Sequence, residues 1–166
     1  MVDFNQSQTT ANAIRRSRLV EPYGIEWVEE PVASEDFRGH AAVRDAITAP
    51  VMSGENWWYV TDMEKAINAV ACDLAMPDAI KIGGITGWLQ VAGVAAAVGM
   101  PLSNHTHVEA NAHAMLAAPT AGWFEFLDLA SAVIAAPLTV EDGAVTALGP
   151  GLGIEWNEAA VTRHSI

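Results

Sequence analysis

The sequence holds one cysteine, Cys72, and eight Lys and Arg residues against 20 Asp and Glu. A lone cysteine cannot build a disulfide framework or a thiolate metal site, which points to a reducing, cytoplasmic setting. The shortage of basic residues leaves a formal net charge of −12. Nucleic-acid binding draws on clustered Lys and Arg, so a nucleic-acid partner is not expected. No apolar run reaches the roughly 18 residues that a membrane span needs, so no membrane partner is expected either. The first eight residues, MVDFNQSQ, lack the basic-then-apolar pattern of a signal peptide. Charged residues make up only 17% of the chain and apolar residues 51%, which excludes a disordered polymer. A length of 166 residues suits one domain with a real core.

Short apolar runs alternate with helical patterns. Met1–Phe4, Ile25–Val28, Pro50–Ser53, Cys72–Met76, Pro101–Ser103 and Trp123–Leu127 are expected as buried strands. Helices are expected near Ser7–Val20, Asp36–Ile47, Thr61–Ala71, Gly87–Val98 and Glu109–Ala117. Ser7 and Thr61 are candidate N-caps, with Glu64 three residues after Thr61. Gly24 and Gly99 fall where helix C-caps belong. Strands separated by such helices predict an α/β chain of βαβ units with a parallel sheet.

The more informative repeat is chemical. Asp3, Glu29, Glu55, Asp78, His105 and Glu125 each end an expected strand, at intervals of 26, 26, 23, 27 and 20 residues. A parallel barrel gathers its C-terminal strand ends on one face, where active sites form. An open sheet spreads the same groups along a line, and its GxGxxG fingerprint is absent after the first strand. The barrel is the favoured arrangement.

Asp3, Glu29 and Glu55 are carboxylates that repel one another unless protons or a cation neutralise them. Oxygen donors without His or Cys select Mg²⁺ or Mn²⁺ over zinc. A carboxylate beside an imidazole fixes its tautomer and raises its basicity, which pairs Asp78 with His105. His107 and His113 compete with His105 for that role; only its place past the strand end argues against His107. Glu125, if protonated, could donate a hydrogen bond to a developing oxyanion, though it could equally be an ordinary acid between Phe124 and Phe126. The chemistry suggested is abstraction of the weakly acidic proton α to a carboxylate, through an enediolate. Trp57, Trp58 and Trp88 either line the site or pack helices on strands.

Six segments now carry a resemblance: VDFNQS (2–7), IEWVEEP (25–31), PVMSGENW (50–57), LAMPDAIKIGGITGW (74–88), SNH (103–105) and WFEFLDLA (123–130). In this order the chain resembles the enolase superfamily, and within it the mandelate racemase subgroup. The resemblance implies that Asp3, Glu29 and Glu55 ligate Mg²⁺ and that His105 with Asp78 is a general base. Glu125 becomes the acid that hydrogen-bonds the substrate carboxylate. Asn5 lies two residues after Asp3 and lines the site by period-two geometry. Lys81 matches the catalytic lysine of the muconate-lactonizing subgroup. That subgroup lacks the His–Asp dyad, so here Lys81 is read as a supporting charge near Asp78.

The resemblance further implies a partial TIM-type (β/α)7β barrel, strands three to eight, without the N-terminal capping domain and first two barrel strands. Residues 1–135 form that barrel portion, and 136–166 the segment that packs back on the cap in the family. The absent second strand carries a Lys-x-Lys motif whose distal lysine is the other base. The expected activity is Mg²⁺-dependent racemisation of a 2-hydroxy acid by the full-length protein, with one of the two bases on this chain. The alternatives are an acid-sugar dehydratase, or a truncated, non-catalytic metal-binding product. The partners expected are a small carboxylate substrate, further copies of the chain and the missing N-terminal part.

Overall fold

A computed structural model describes residues 1–165. Four short strands, β1 (Val2–Asp3), β2 (Val28–Glu29), β3 (Val51–Ser53) and β4 (Leu74–Ala75), pair in parallel in chain order. The register sets Asp3 beside Glu29, Glu29 beside Met52 and Ser53 beside Ala75. Single parallel bridges, Ala75 to Leu102 and Leu102 to Ala121, extend the sheet by two more segments. Between them run helices α1 (Thr10–Val20), α2 (Phe37–Ala46), α3 (Tyr59–Ala69), α4 (Gly84–Val98) and α5 (Val108–Leu116). The α/β alternation and parallel sheet read from the sequence are therefore present. No helix among the described residues is long and apolar enough to cross a membrane.

Several boundaries differ from expectation for local reasons. Helix α1 starts at Thr10 because the Thr9 hydroxyl, not Ser7, accepts from the Asn12 N–H. Helix α3 starts two residues before Thr61, and Asp62 accepts the N–H of Trp58 at 2.9 Å in place of an N-cap side chain. Gly24 closes a short 3-10 turn and Gly99 closes α4, both left-handed as a C-cap requires.

Residues 123–127, expected as a strand, carry no ladder. The Asn104 carboxamide takes the place of a neighbouring strand there: its oxygen accepts the Glu125 N–H at 2.9 Å, and its nitrogen donates to the Glu125 carbonyl at 3.0 Å. After residue 135 the chain forms a hairpin, β5 (Val140–Glu141) and β6 (Ala144–Val145), turned by Asp142 and Gly143 with positive φ. It ends in α6 (Glu158–His164), N-capped by Asn157.

Trp57 and Trp88 are buried in the core with Met63, Ile82 and Leu102, so both are packing residues, whereas Trp58 is exposed. The Trp88 indole N–H donates to the Ala114 carbonyl at 2.9 Å, which ties α4 to α5. Gly87 lets α4 lie against the preceding turn, since a Cβ there would stand 1.9 Å from the Ile82 carbonyl oxygen. Gly87→Ala is therefore expected to destabilise the fold by about 1–3 kcal/mol through overpacking. A denaturant midpoint equal to that of the wild type would show that this contact relaxes freely.

Candidate active site

Parallel pairing sets the side chains of bridged residues on the same face, about 4.8 Å apart. That geometry places Asp3 beside Glu29, and the bridge between Asp78 and His105 places those two together. The His105 Nδ1 lies 3.0 Å from Asp78 Oδ2, and its Nε2 lies 3.5 Å from Glu55 Oε2. A carboxylate only accepts, so Nδ1 carries a proton, and in the neutral imidazole Nε2 is the nitrogen left bare. The Thr106 hydroxyl donates to the same Asp78 oxygen at 3.1 Å, and His107 Nε2 lies 3.7 Å from it. The other Asp78 oxygen accepts the backbone N–H groups of Ile80 at 2.8 Å and Lys81 at 3.1 Å. His113 stands apart, its ring nitrogens near the Glu109 and Gly149 carbonyls. Of the three histidines, His105 has the short contact to Asp78.

Burial pushes the Asp78 carboxyl up, but hydrogen bonds from His105, Lys81, Ile80 and Thr106 outweigh it and hold the group well below the usual carboxylate range. Burial likewise opposes the charged form of His105. The bond to Asp78 and the charges of Glu55 and Glu125 outweigh it, so the imidazole binds its proton more tightly than usual.

Glu29 and Glu125 line a common cavity of about 120 Å³ with Trp27, Met52, Met76, Ser103 and Phe124. Burial raises the Glu29 carboxyl, the Trp27 indole N–H at 2.8 Å lowers it, and the charges of Asp3, Glu125 and Glu55 raise it further. Glu125 is held by the Thr106 N–H on its carboxylate and by Asn104 on its backbone. Glu55 follows Gly54, whose φ of +138 and close approach to the Met76 backbone disfavour a Cβ. Asn5 lies past the end of β1 in a turn with φ 44, where period-two geometry no longer applies. It meets Asp3 through its backbone N–H at 2.7 Å. Lys81 reaches Asp78 with its backbone, while its ammonium goes to the Asn56 carboxamide oxygen at 2.6 Å.

Among the described residues, no group of three or more His, Cys, Asp or Glu side chains already stands as a metal cage. The donor chemistry nevertheless fits a hard divalent cation. Asp3, Glu29 and Glu55 supply only anionic oxygens, and no Lys or Arg among the described residues forms an ion pair with any of them. A larger apolar groove of about 320 Å³ adjoins the dyad through His107 and holds none of these carboxylates.

Two buried residues escaped the sequence reading. Asn104, fully buried, stands where a backbone ladder was expected. Glu30, also fully buried, accepts from the Ser53 hydroxyl and the Gly54 N–H, both at 2.8 Å. Burial, against those two bonds and with repulsion from Glu55 and Glu29, pushes its carboxyl up to about 7. The only signal for Glu30 was the paired acid in VEEP, and its burial follows from the turn past β2, where its φ is 38. Cys72 is buried and its thiol is pushed up to about 12, chiefly by burial, which leaves it inert.

A family profile described as enolase C-terminal domain-like matches residues 1–160. The chain belongs to that family. An enolase from Bradyrhizobium, crystallised with magnesium and mandelic acid, is 50% identical with a TM-score of 0.96, over 99% of this chain and 45% of that one. A racemase from Streptomyces coelicolor with bound magnesium is 32% identical with a TM-score of 0.94, over 100% and 46%. The L-talarate/galactarate dehydratase of Salmonella typhimurium is 32% identical over 161 residues, 96% of this chain and 40% of that protein. Further relatives are cycloisomerases and epimerases. The chain spans about two fifths to one half of the length of these relatives.

The dyad gives stability a pH signature in metal-free buffer. Asp78 is lowered, so its contribution is present above about pH 4, the ordinary aspartate value, and is lost as pH falls. His105 is raised, so its contribution is full below about pH 6.5 and is lost as pH rises through the elevated value. The gap in urea midpoint between wild type and Asp78→Asn should therefore be widest between about pH 4 and 6.5. A gap independent of pH would contradict the ionised pair.

Proposed function

We propose that this chain carries the metal-assisted site of an enzyme that abstracts the proton α to a carboxylate. The observation that carries the reading is His105, tied to Asp78 at Nδ1 with Nε2 toward the carboxylate cluster. Asp78 fixes the imidazole tautomer and stabilises the imidazolium that forms. The bare Nε2 takes the proton, and Glu125 is the group that hydrogen-bonds the substrate carboxylate as charge develops there. Thr106 and Asn104 hold Glu125 for that contact. Asp3, Glu29 and Glu55 would hold Mg²⁺, or Mn²⁺ in its place, which supplies positive charge that neutralises the substrate carboxylate and acidifies its α-proton.

The six parallel segments correspond to strands three to eight of a (β/α)7β barrel, spanning residues 1–135. Residues 136–166 are then the segment that packs on a capping domain. The outer edge of β1 is unpaired among the described residues, which suits pairing with further chain or with another copy. The single reduced cysteine suits a cytoplasmic enzyme.

Racemisation of a 2-hydroxy acid is the first outcome, favoured by the likeness to a structure that holds mandelic acid. It requires a second base on the opposite face, from a part of the whole protein outside this chain. Dehydration of a sugar acid is the second outcome, favoured by the likeness to a talarate/galactarate dehydratase. The test follows 2-hydroxy acids and sugar acids in deuterated water with Mg²⁺, reading α-deuterium incorporation, chirality and keto-acid formation. His105→Asn should cut exchange on the active substrate by about 10²–10⁴-fold. Exchange that survives this change would refute His105 as the base.

A further inference from the structure

The ammonium of Lys81 does not point at a carboxylate. It donates to the Asn56 oxygen at 2.6 Å, and the Asn56 nitrogen donates to Glu55 Oε1 at 2.9 Å. We propose that Lys81 and Asn56 are a positioning pair that fixes the Glu55 carboxylate for a divalent cation, an inference that rests on reading Glu55 as a metal ligand.

The arrangement turns on donors and acceptors. An ammonium has three donors and no acceptor, whereas a carboxamide has one face of each kind. Contact with Lys81 therefore decides which way the Asn56 amide faces, and its NH₂ must point at Glu55. Without the ammonium the amide is free to turn over, and its oxygen then meets the Glu55 oxygen with like polarity. With it, Oε1 is pinned and Oε2 is left toward His105.

The same lysine reaches the neighbouring strand end. Its backbone N–H holds Asp78 Oδ1, Asp78 Oδ2 holds His105 Nδ1, and His105 Nε2 faces Glu55 Oε2. The contacts close a ring through Lys81, Asn56, Glu55, His105 and Asp78. One residue thus orients the acids of two successive strand ends, by its main chain on one side and its ammonium on the other. A cation placed one amide away leaves the Glu55 carboxylate unpaired with Lys, as a metal ligand needs. Removing a group that orients a metal ligand characteristically weakens the metal 10–100-fold.

Mg²⁺ binding is measured by titration calorimetry on wild type, Lys81→Met, Lys81→Arg, Asn56→Ala and Glu55→Gln. The Asn56 side-chain amide is followed in the metal-free protein by ¹⁵N–¹H NMR. The expected result is a Kd raised about tenfold or more in K81M and in N56A, with K81R recovering most of the loss. E55Q should lose more than either, and the Asn56 amide resonances should move in K81M before any metal is added. Wild-type Mg²⁺ affinity in K81M, or unmoved Asn56 resonances, overturns the positioning pair while E55Q still loses the metal. Unchanged affinity in E55Q, or none in the wild type, overturns the ligand reading itself.

Discussion

Mutual repulsion among acids at one edge of a parallel sheet is the constraint around which this chain is arranged. Parallel strands all end on the same side, so Asp3, Glu29, Glu55 and Asp78 are gathered by topology rather than by local preference. Burial of Glu29, Glu55 and Asp78 removes water that would screen them, while Asp3 stays exposed, and the Glu29 carboxyl rises through burial and the charges of Asp3, Glu125 and Glu55. Such an arrangement persists only where something offsets the charge. The neighbours that do so are few and specific: the Trp27 indole, the Asn56 amide and the His105 ring. None of them is a Lys or Arg, which leaves a net negative pocket suited to a divalent cation.

The dyad is built by the same register and completed by strained backbone. His105 bridges Asp78 in parallel, and the two residues after it, Thr106 and His107, both adopt positive φ. A β-branched residue in the left-handed region costs on the order of 1–3 kcal/mol. The strained turn sets the Thr106 hydroxyl on Asp78 and the Thr106 N–H on Glu125. One turn thereby organises Asp78 and Glu125 together. His107 lies 3.7 Å from the same Asp78 oxygen and lines the apolar groove.

What was legible in the sequence follows from period and polarity. Alternating apolar runs and helices announce a parallel α/β chain, and the regular interval of strand-end acids marks the side where the site lies. The family resemblance named the residues, and the structure brings Asp78 to His105 and Asp3 to Glu29. Less legible were the groups that act through carboxamides or from behind the strand ends. Asn104 replaces a ladder with its side chain, which no strand pattern encodes. Asn56 and Lys81 are 25 residues apart, and only the fold makes them partners. Glu30 looks like a surface acid beside Glu29, yet it sits just past β2 with φ 38 and is buried against Ser53 and Gly54. The α1 start shifted by three residues because Ser7 and Thr9 offer the same capping chemistry, and only the local geometry chooses between them.

The claim on which the rest hangs is that Asp3, Glu29 and Glu55 together hold one divalent cation. Crystals soaked in Mn²⁺, with diffraction collected at the manganese edge, test it most directly. The expected anomalous map has a single strong peak within coordination distance of all three carboxylates, beside Glu125 and His105. A map with no peak there, or with manganese elsewhere on the acidic surface, would contradict it.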